Sequence, residues 1–77
     1  MKGLTEGRNV HYVAYNNRHL AALVTGYSID KDGQADLAVF TNMPNVNGEK
    51  SGGIQFHFNV PYSEQPTPGT WHWIEQA

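Results

Sequence analysis

The sequence predicts an all-β fold, a small five-stranded, SH3-like and partly open barrel, and three observations predict it. Apolar residues fall in short runs that alternate with polar ones. Those runs are rich in β-branched and aromatic side chains. Clusters of Asn, Asp, Gly and Pro separate them at close intervals. An OB-fold is the nearest competitor, but it usually takes more residues and often a helix before its fourth strand, and no helical pattern is visible. The 77 residues are expected to form one domain, 1–77, with no linker or second unit.

The first strand is expected near 9–15, where Val10-His11-Tyr12-Val13-Ala14-Tyr15 precedes Asn16-Asn17-Arg18, and Asn suits the left-handed conformation of a tight hairpin turn. The second, near 19–29, sets Leu20, Ala22 and Val24 on one face and Ala21, Leu23 and Thr25 on the other. A helix there is disfavoured: the apolar stretch is short, Thr25-Gly26-Tyr27 follows at once, and no N-cap pattern precedes it. Gly26 marks a bulge or bend. Asp30-Lys31-Asp32-Gly33 is a turn, and a third strand near 34–41 directs Ala35, Leu37 and Val39 one way and Asp36, Ala38 and Phe40 the other.

Asn42 to Gly53, with Pro44, Asn45, Asn47 and Gly48, reads as a long, exposed, mobile loop. Residues 54–60 then alternate without a fault: Ile54, Phe56, Phe58 and Val60 against Gln55, His57 and Asn59. Pro61 stops that strand, a proline-containing turn covers 64–69, and a short last strand is expected near 70–74. The period-2 faces nominate Leu20, Val24, Leu37, Val39, Phe56 and Phe58 as core, and on that assignment Phe56→Ala would cost ~3–5 kcal/mol.

A chain of this length buries only about 60% of the surface its unfolded form exposes, so its core is thin. Disulfides cannot compensate, because there is no cysteine; self-association or a metal could. The lack of cysteine also fits a reducing cytosol. With a formal charge of -2 and Lys2, Arg8, Arg18, Lys31 and Lys50 scattered singly, general nucleic-acid binding is not expected. No apolar run approaches the ~20 residues of a membrane helix, and the opening MKGLTEGR has no apolar signal segment, so the expected location is the cytoplasm.

Trp71 and Trp73 share one face of the last strand, with His72 opposite. One or both indoles can close a thin core, or one can act as a stacking platform. Tyr12 and Tyr15 fall on opposite faces of the first strand. Four histidines are present, and His11, His57 and His72 lie on three strands; three converging imidazoles would make a zinc site and admit a small hydrolase. The spacing carries no ligand signature, so neither a metal nor a cofactor is assigned. Asp30-x-Asp32-Gly33 lacks the remaining ligands of a calcium loop, and Ser28, Ser51 and Ser63 have no nucleophile-elbow context. Catalysis is therefore not expected.

In a barrel the first and last strands commonly lie together. That would gather Arg8, His11 and Tyr12 near Trp71, His72 and Trp73, with Arg8 and Arg18 at opposite ends of the first strand as candidate guanidinium clamps. These seven residues form the expected ligand site, suited to a small planar anionic ligand held by stacking and charge.

Two segments resemble a group of short bacteriophage proteins of unknown function. Gly7-Arg8-Asn9-Val10-His11-Tyr12 is similar to their opening stretch, and Gly69-Thr70-Trp71-His72-Trp73 to their closing Gly-Thr-Trp-His-Trp-Pro-Glu string. The Ala-Ala-Leu-Val and Leu-x-Val-Phe strands come in the same order, so the resemblance covers most of the chain. Ile74 stands where the group usually has Pro. The resemblance implies a phage origin, a compact β fold and no established activity. The expectation is a non-enzymatic, homo-oligomeric binding protein acting on a small ligand or a host protein, with sequestration of a nucleotide-like signal as a counter-defence role. The alternative is a virion-accessory or protein–protein interaction module with no small ligand.

Overall fold

The structure, a computed structural model, describes residues 1–44 and 50–74, with side chains for all of these except 42–44, 50 and 51. Five strands follow one another: β1 (Asn9–Val13), β2 (His19–Tyr27), β3 (Ala35–Pro44), β4 (Lys50–Val60) and β5 (Trp71–Trp73). They form one antiparallel sheet in the order β4-β3-β2-β1-β5. No helix occurs among the described residues, and none is long and apolar enough to cross a membrane.

The all-β, five-stranded expectation holds, and so does the adjacency of first and last strands. The sheet is open, however, with β4 and β5 as its edges. Beyond β4 the chain pairs with β5 at an isolated parallel bridge between Tyr62 and Trp71, where the Trp71 N–H donates to the Pro61 carbonyl at 3.0 Å. The sheet is also curled. Tyr12 on β1 and His57 on β4 have two strands between them, yet their rings lie 4.6 Å apart on the inner face.

Local chemistry explains the turns. Between β1 and β2, the Asn17 N–H donates to the Ala14 carbonyl and Asn17 takes a φ of 63°, the left-handed step of a three-residue hairpin loop. In the β2–β3 turn, Ser28 Oγ accepts from the backbone N–H groups of Asp30 and Lys31, and Gly33 takes a φ of 85°. Before β5, Thr70 N–H donates to the Thr67 carbonyl across Pro68-Gly69, the residue pair favoured in a type II turn.

The inner face carries the core. Val10, Ala22, Val24, Leu37, Val39 and Trp71 are buried there with Leu4, Ala35 and Val60, and Tyr12, Leu20, Tyr62 and Trp73 pack against them. The expected faces of β2 and β3 are therefore the observed ones. The expected bulge at Gly26 is present as well: β2 advances from Val24 to Gly26 while β3 advances only from Leu37 to Asp36.

The expectation for β4 is corrected in three respects. Phe56 and Phe58 are not core: they are 64% and 70% exposed, and Ile54 is 55% exposed. The register sets Leu37 opposite His57 and Val39 opposite Gln55, so the polar row of β4 lies over the inner face and the apolar row faces out. Val60 does not share the face of Phe56 and Phe58. Between His57 and Val60 β4 takes one step more than β3, Asn59 adopts a φ of 57° with its N–H donating to Asp36 Oδ1 at 2.9 Å, and the shifted parity turns Val60 into the core. Finally, most of the expected 42–53 loop is strand. Thr41, Asn42, Met43 and Pro44 pair with Gly53, Gly52, Ser51 and Lys50 in a long hairpin, which suits extents of 45 × 21 × 21 Å. Residues 45–49, the middle of that loop, lie outside the described residues.

Two substitutions separate the two faces. In dilute protein, where chains do not associate, Leu37→Ala should cost about 2–5 kcal/mol. Phe56→Ala should stay within about 1 kcal/mol, as at other surface positions. Urea denaturation followed by tryptophan fluorescence measures both. A larger loss for Phe56→Ala than for Leu37→Ala would reverse the assignment of faces.

Candidate functional site

Antiparallel pairing of β1 with β5 sets Val10 opposite Trp73, His11 opposite His72 and Tyr12 opposite Trp71. Directly opposed residues share a face. The expected site is therefore divided between the two sides of the sheet. Tyr12, Trp71 and Trp73 lie inside; His11 and His72 lie outside.

On the inner side, Trp71 is fully buried, and its indole N–H donates to the Gly33 carbonyl at 2.7 Å. It belongs to the core, with no face left for a ligand. The carbonyl it uses sits at a residue that must be glycine: φ is 85°, and a Cβ there would come within 3.2 Å of Tyr62 Cβ. Trp73 packs edge-on against Trp71 at 5.0 Å and is only half-buried. The Arg8 guanidinium carbon lies 5.0 Å from the Trp73 ring centre, a cation–π pair at the mouth of the aromatic group. Tyr62 completes that group, 5.0 Å from Trp71 and 6.4 Å from Trp73.

Tyr12 lies between Leu20 and Trp71 in the ladder. Burial, and secondarily the nearby Tyr15 phenol, push its ionisation above the usual tyrosine range. Tyr15 itself is 96% exposed, outside the strand. Arg8 and Arg18 do lie at opposite ends of β1, accepting at their carbonyls from Val24 and Ala14 respectively. Six residues of extended chain separate positions 8 and 14, roughly 20 Å, so the two arginine backbones stand at opposite ends of the strand.

The outer side holds an arrangement that spacing alone did not reveal. His11, His19 and His72 lie together, each offering a ring nitrogen within 4.8 Å of the others. Their ring centres are 5.6 Å (His11–His72), 4.7 Å (His19–His72) and 5.9 Å (His11–His19) apart. His72 is buried, His11 half-buried and His19 exposed. Three imidazoles in this disposition can hold a metal ion. His57, the other strand histidine weighed from the sequence, lies on the opposite face against Tyr12, with Nε2 3.3 Å from Gln55 Oε1. The missed residue, His19, was accessible from the hairpin: a three-residue loop sets it opposite Val13, diagonal to His11 on the same face.

The Tyr12 shift has a testable sign. A phenol whose ionisation is raised by folding contributes stability that is complete below about pH 10 and is lost as pH rises through the folded-state value. Thermal unfolding between pH 9 and 11 should show a fall in stability that is smaller in Tyr12→Phe than in wild type. An identical fall in both would assign it elsewhere. In comparisons with known proteins, no protein-family model, curated protein or solved structure matches this chain.

Proposed function

We propose that the protein is a non-enzymatic, self-assembling interaction module whose working surface is β4. The observation that carries this reading is the exposure of Ile54, Phe56 and Phe58 on the outer face of the edge strand β4, beside Phe40 of β3 at 37%. Large side chains offer ~150–250 Å² each, so the patch amounts to roughly 400 Å² per chain. Patches of that size on single chains are often functional.

The occupant that fits best is a second copy. An antiparallel pairing of β4 with itself, centred on Phe56, would place Ile54 of one copy opposite Phe58 of the other on the outer face. Gln55 would face His57 across the inner row. That pattern is complementary in both rows, and residues 54–58 contain no Asp, Glu, Lys or Arg to repel. Pairing sets the two apolar rows side by side across the seam, where each aromatic ring covers part of its cross-strand neighbour. The reading of the curled sheet as an incompletely closed SH3-like barrel accompanies this proposal, with β4 as the edge left open for assembly. The reading as a non-enzyme rests on the sequence, which offers neither a nucleophile elbow nor paired carboxylates on a cleft-forming element.

Sedimentation equilibrium tests the assembly. At about 100 µM, well above the Kd of a typical specific dimer, wild type should show twice the 8.6 kDa of the chain. Phe56→Glu should sediment as a monomer with unchanged circular dichroism, since it would set two carboxylates face to face. A monomeric wild type, or a dimeric Phe56→Glu, would overturn the proposal.

A second reading is favoured by the Arg8–Trp73 pair: a small planar anionic ligand, of the nucleotide-signal kind expected in phage counter-defence, stacking at Trp73 with Arg8 on its charge. Calorimetric titration with cyclic di- and trinucleotides and ADP-ribose should then show binding that Arg8→Ala and Trp73→Ala each weaken about tenfold or more. Absence of binding to wild type by every one of these ligands removes this reading and leaves the assembly reading untouched.

A further inference from the structure

We propose that His11, His19 and His72 form a binding site for one divalent transition-metal ion of the zinc type, and that the ion fastens β5 to the β1–β2 hairpin. The three residues come from three adjacent strands, β5, β1 and β2, on one face. His11 and His72 are directly opposed, and His19 is diagonal to His11. The sheet ladder therefore fixes the backbones, and only ring rotation remains to be set. Three nitrogens at 2.0–2.1 Å from a tetrahedral ion lie about 3.4 Å apart. The widest separation here, at most 4.8 Å, must close by little more than 1 Å. His19 lies at the surface, where a ring turns between rotamers more readily than a buried one does.

The donor set selects the ion. Three neutral imidazoles, with neither carboxylate nor thiolate in the group, suit zinc, copper or nickel and disfavour calcium and magnesium, which prefer oxygen. The exposure of His19 leaves the fourth coordination position to water.

The position in the fold gives the ion its role. β5 is three residues long and sits at the sheet edge. A bond from His72 to an ion shared with β1 and β2 would hold that strand against fraying. Small domains without disulfides commonly use such a staple. His72, the buried polar side chain among the described residues, is the natural anchor, with His11 and His19 closing over the ion from the hairpin side.

The test is calorimetric titration of untagged, metal-stripped protein with Zn²⁺ alone, together with thermal unfolding. One ion per chain should bind with a Kd tighter than about 10 µM, and the melting temperature should rise by roughly 10 °C at a hundredfold excess over Kd. Because His72 is buried and its variant risks losing the fold, the informative variants are His11→Ala and His19→Ala. Each should weaken binding about tenfold or more while circular dichroism stays unchanged. His57→Ala, a histidine on the opposite face, should bind as wild type does. Co²⁺ should give the intense visible bands of a tetrahedral centre in wild type and lose them in His19→Ala. A Kd weaker than about 10 µM would overturn the proposal, as would affinity unchanged in both His11→Ala and His19→Ala or a loss in His57→Ala equal to theirs.

Discussion

A strand of three residues has a short ladder, and the indole of Trp71 adds to what holds β5 in place. That side chain is fully buried, donates to the Gly33 carbonyl in the β2–β3 turn, and lies against Tyr62 in the segment that follows β4. One residue thereby joins the start of β3, the end of β4 and the last strand. A buried indole N–H without a partner costs about 1–3 kcal/mol, so the glycine that supplies the carbonyl is as necessary as the tryptophan. Once Trp71 points inward, the period of two leaves no choice for its neighbours. His72 must face out, where it meets His11 and His19, and Trp73 must return to the inner side, where Arg8 covers it. Both chemically interesting groups are placed by that one anchor.

A second constraint acts at the other edge. Leu37 and Val39 are committed to the core by β2–β3 pairing, and β4 must then present Gln55 and His57 inward, whatever its own composition favours. A one-residue shift in register would exchange the rows and bury the phenylalanines. The bulge at Asn59 resists that shift. Its left-handed φ and its bond to Asp36 fix the point where parity changes, so that Val60 enters the core while Phe58 stays out. The edge is thus apolar by register, and a single edge strand carrying such a row invites a partner.

These two constraints explain what the sequence made legible. The strands, their order of faces on β2 and β3, the Asn16-Asn17 and Asp30–Gly33 turns and the Gly26 bulge all follow from local chemistry and period-2 patterning. The faultless alternation of 54–60 marks a two-faced strand, and the inner face is the polar one. Alternation cannot carry that information, because the inner face is chosen by the neighbouring strand. The 42–53 segment, rich in Asn and Gly, read as loop by composition, yet ladder pairing across Thr41–Gly53 and Asn42–Gly52 outweighs those weak propensities. At the site, adjacency of β1 and β5 was legible. The separation of Tyr12 and the tryptophans from His11 and His72 required the register, and so did the meeting of His19 with His11 and His72.

The sheet therefore has its chemistry sorted by face. The inner side is occupied by a core that includes Trp71, and at its margin Arg8 lies over Trp73. The outer side buries Val13, Ala38 and His72 but leaves its two ends more open. At its β5–β1–β2 end stand three imidazoles, and at its β3–β4 end stand four large apolar side chains, with Leu23 and Ala38 between β1 and Phe56 in the ladder. A thin all-β domain without disulfides gains most from interactions that act where its ladders are weakest, and those places are the short strand β5 and the unpaired edge of β4. The histidine cluster lies at the first and the apolar row at the second. Because they occupy opposite ends of one face, an ion at the histidines and a second chain at β4 would stabilise the sheet independently. Neither needs the other in order to act.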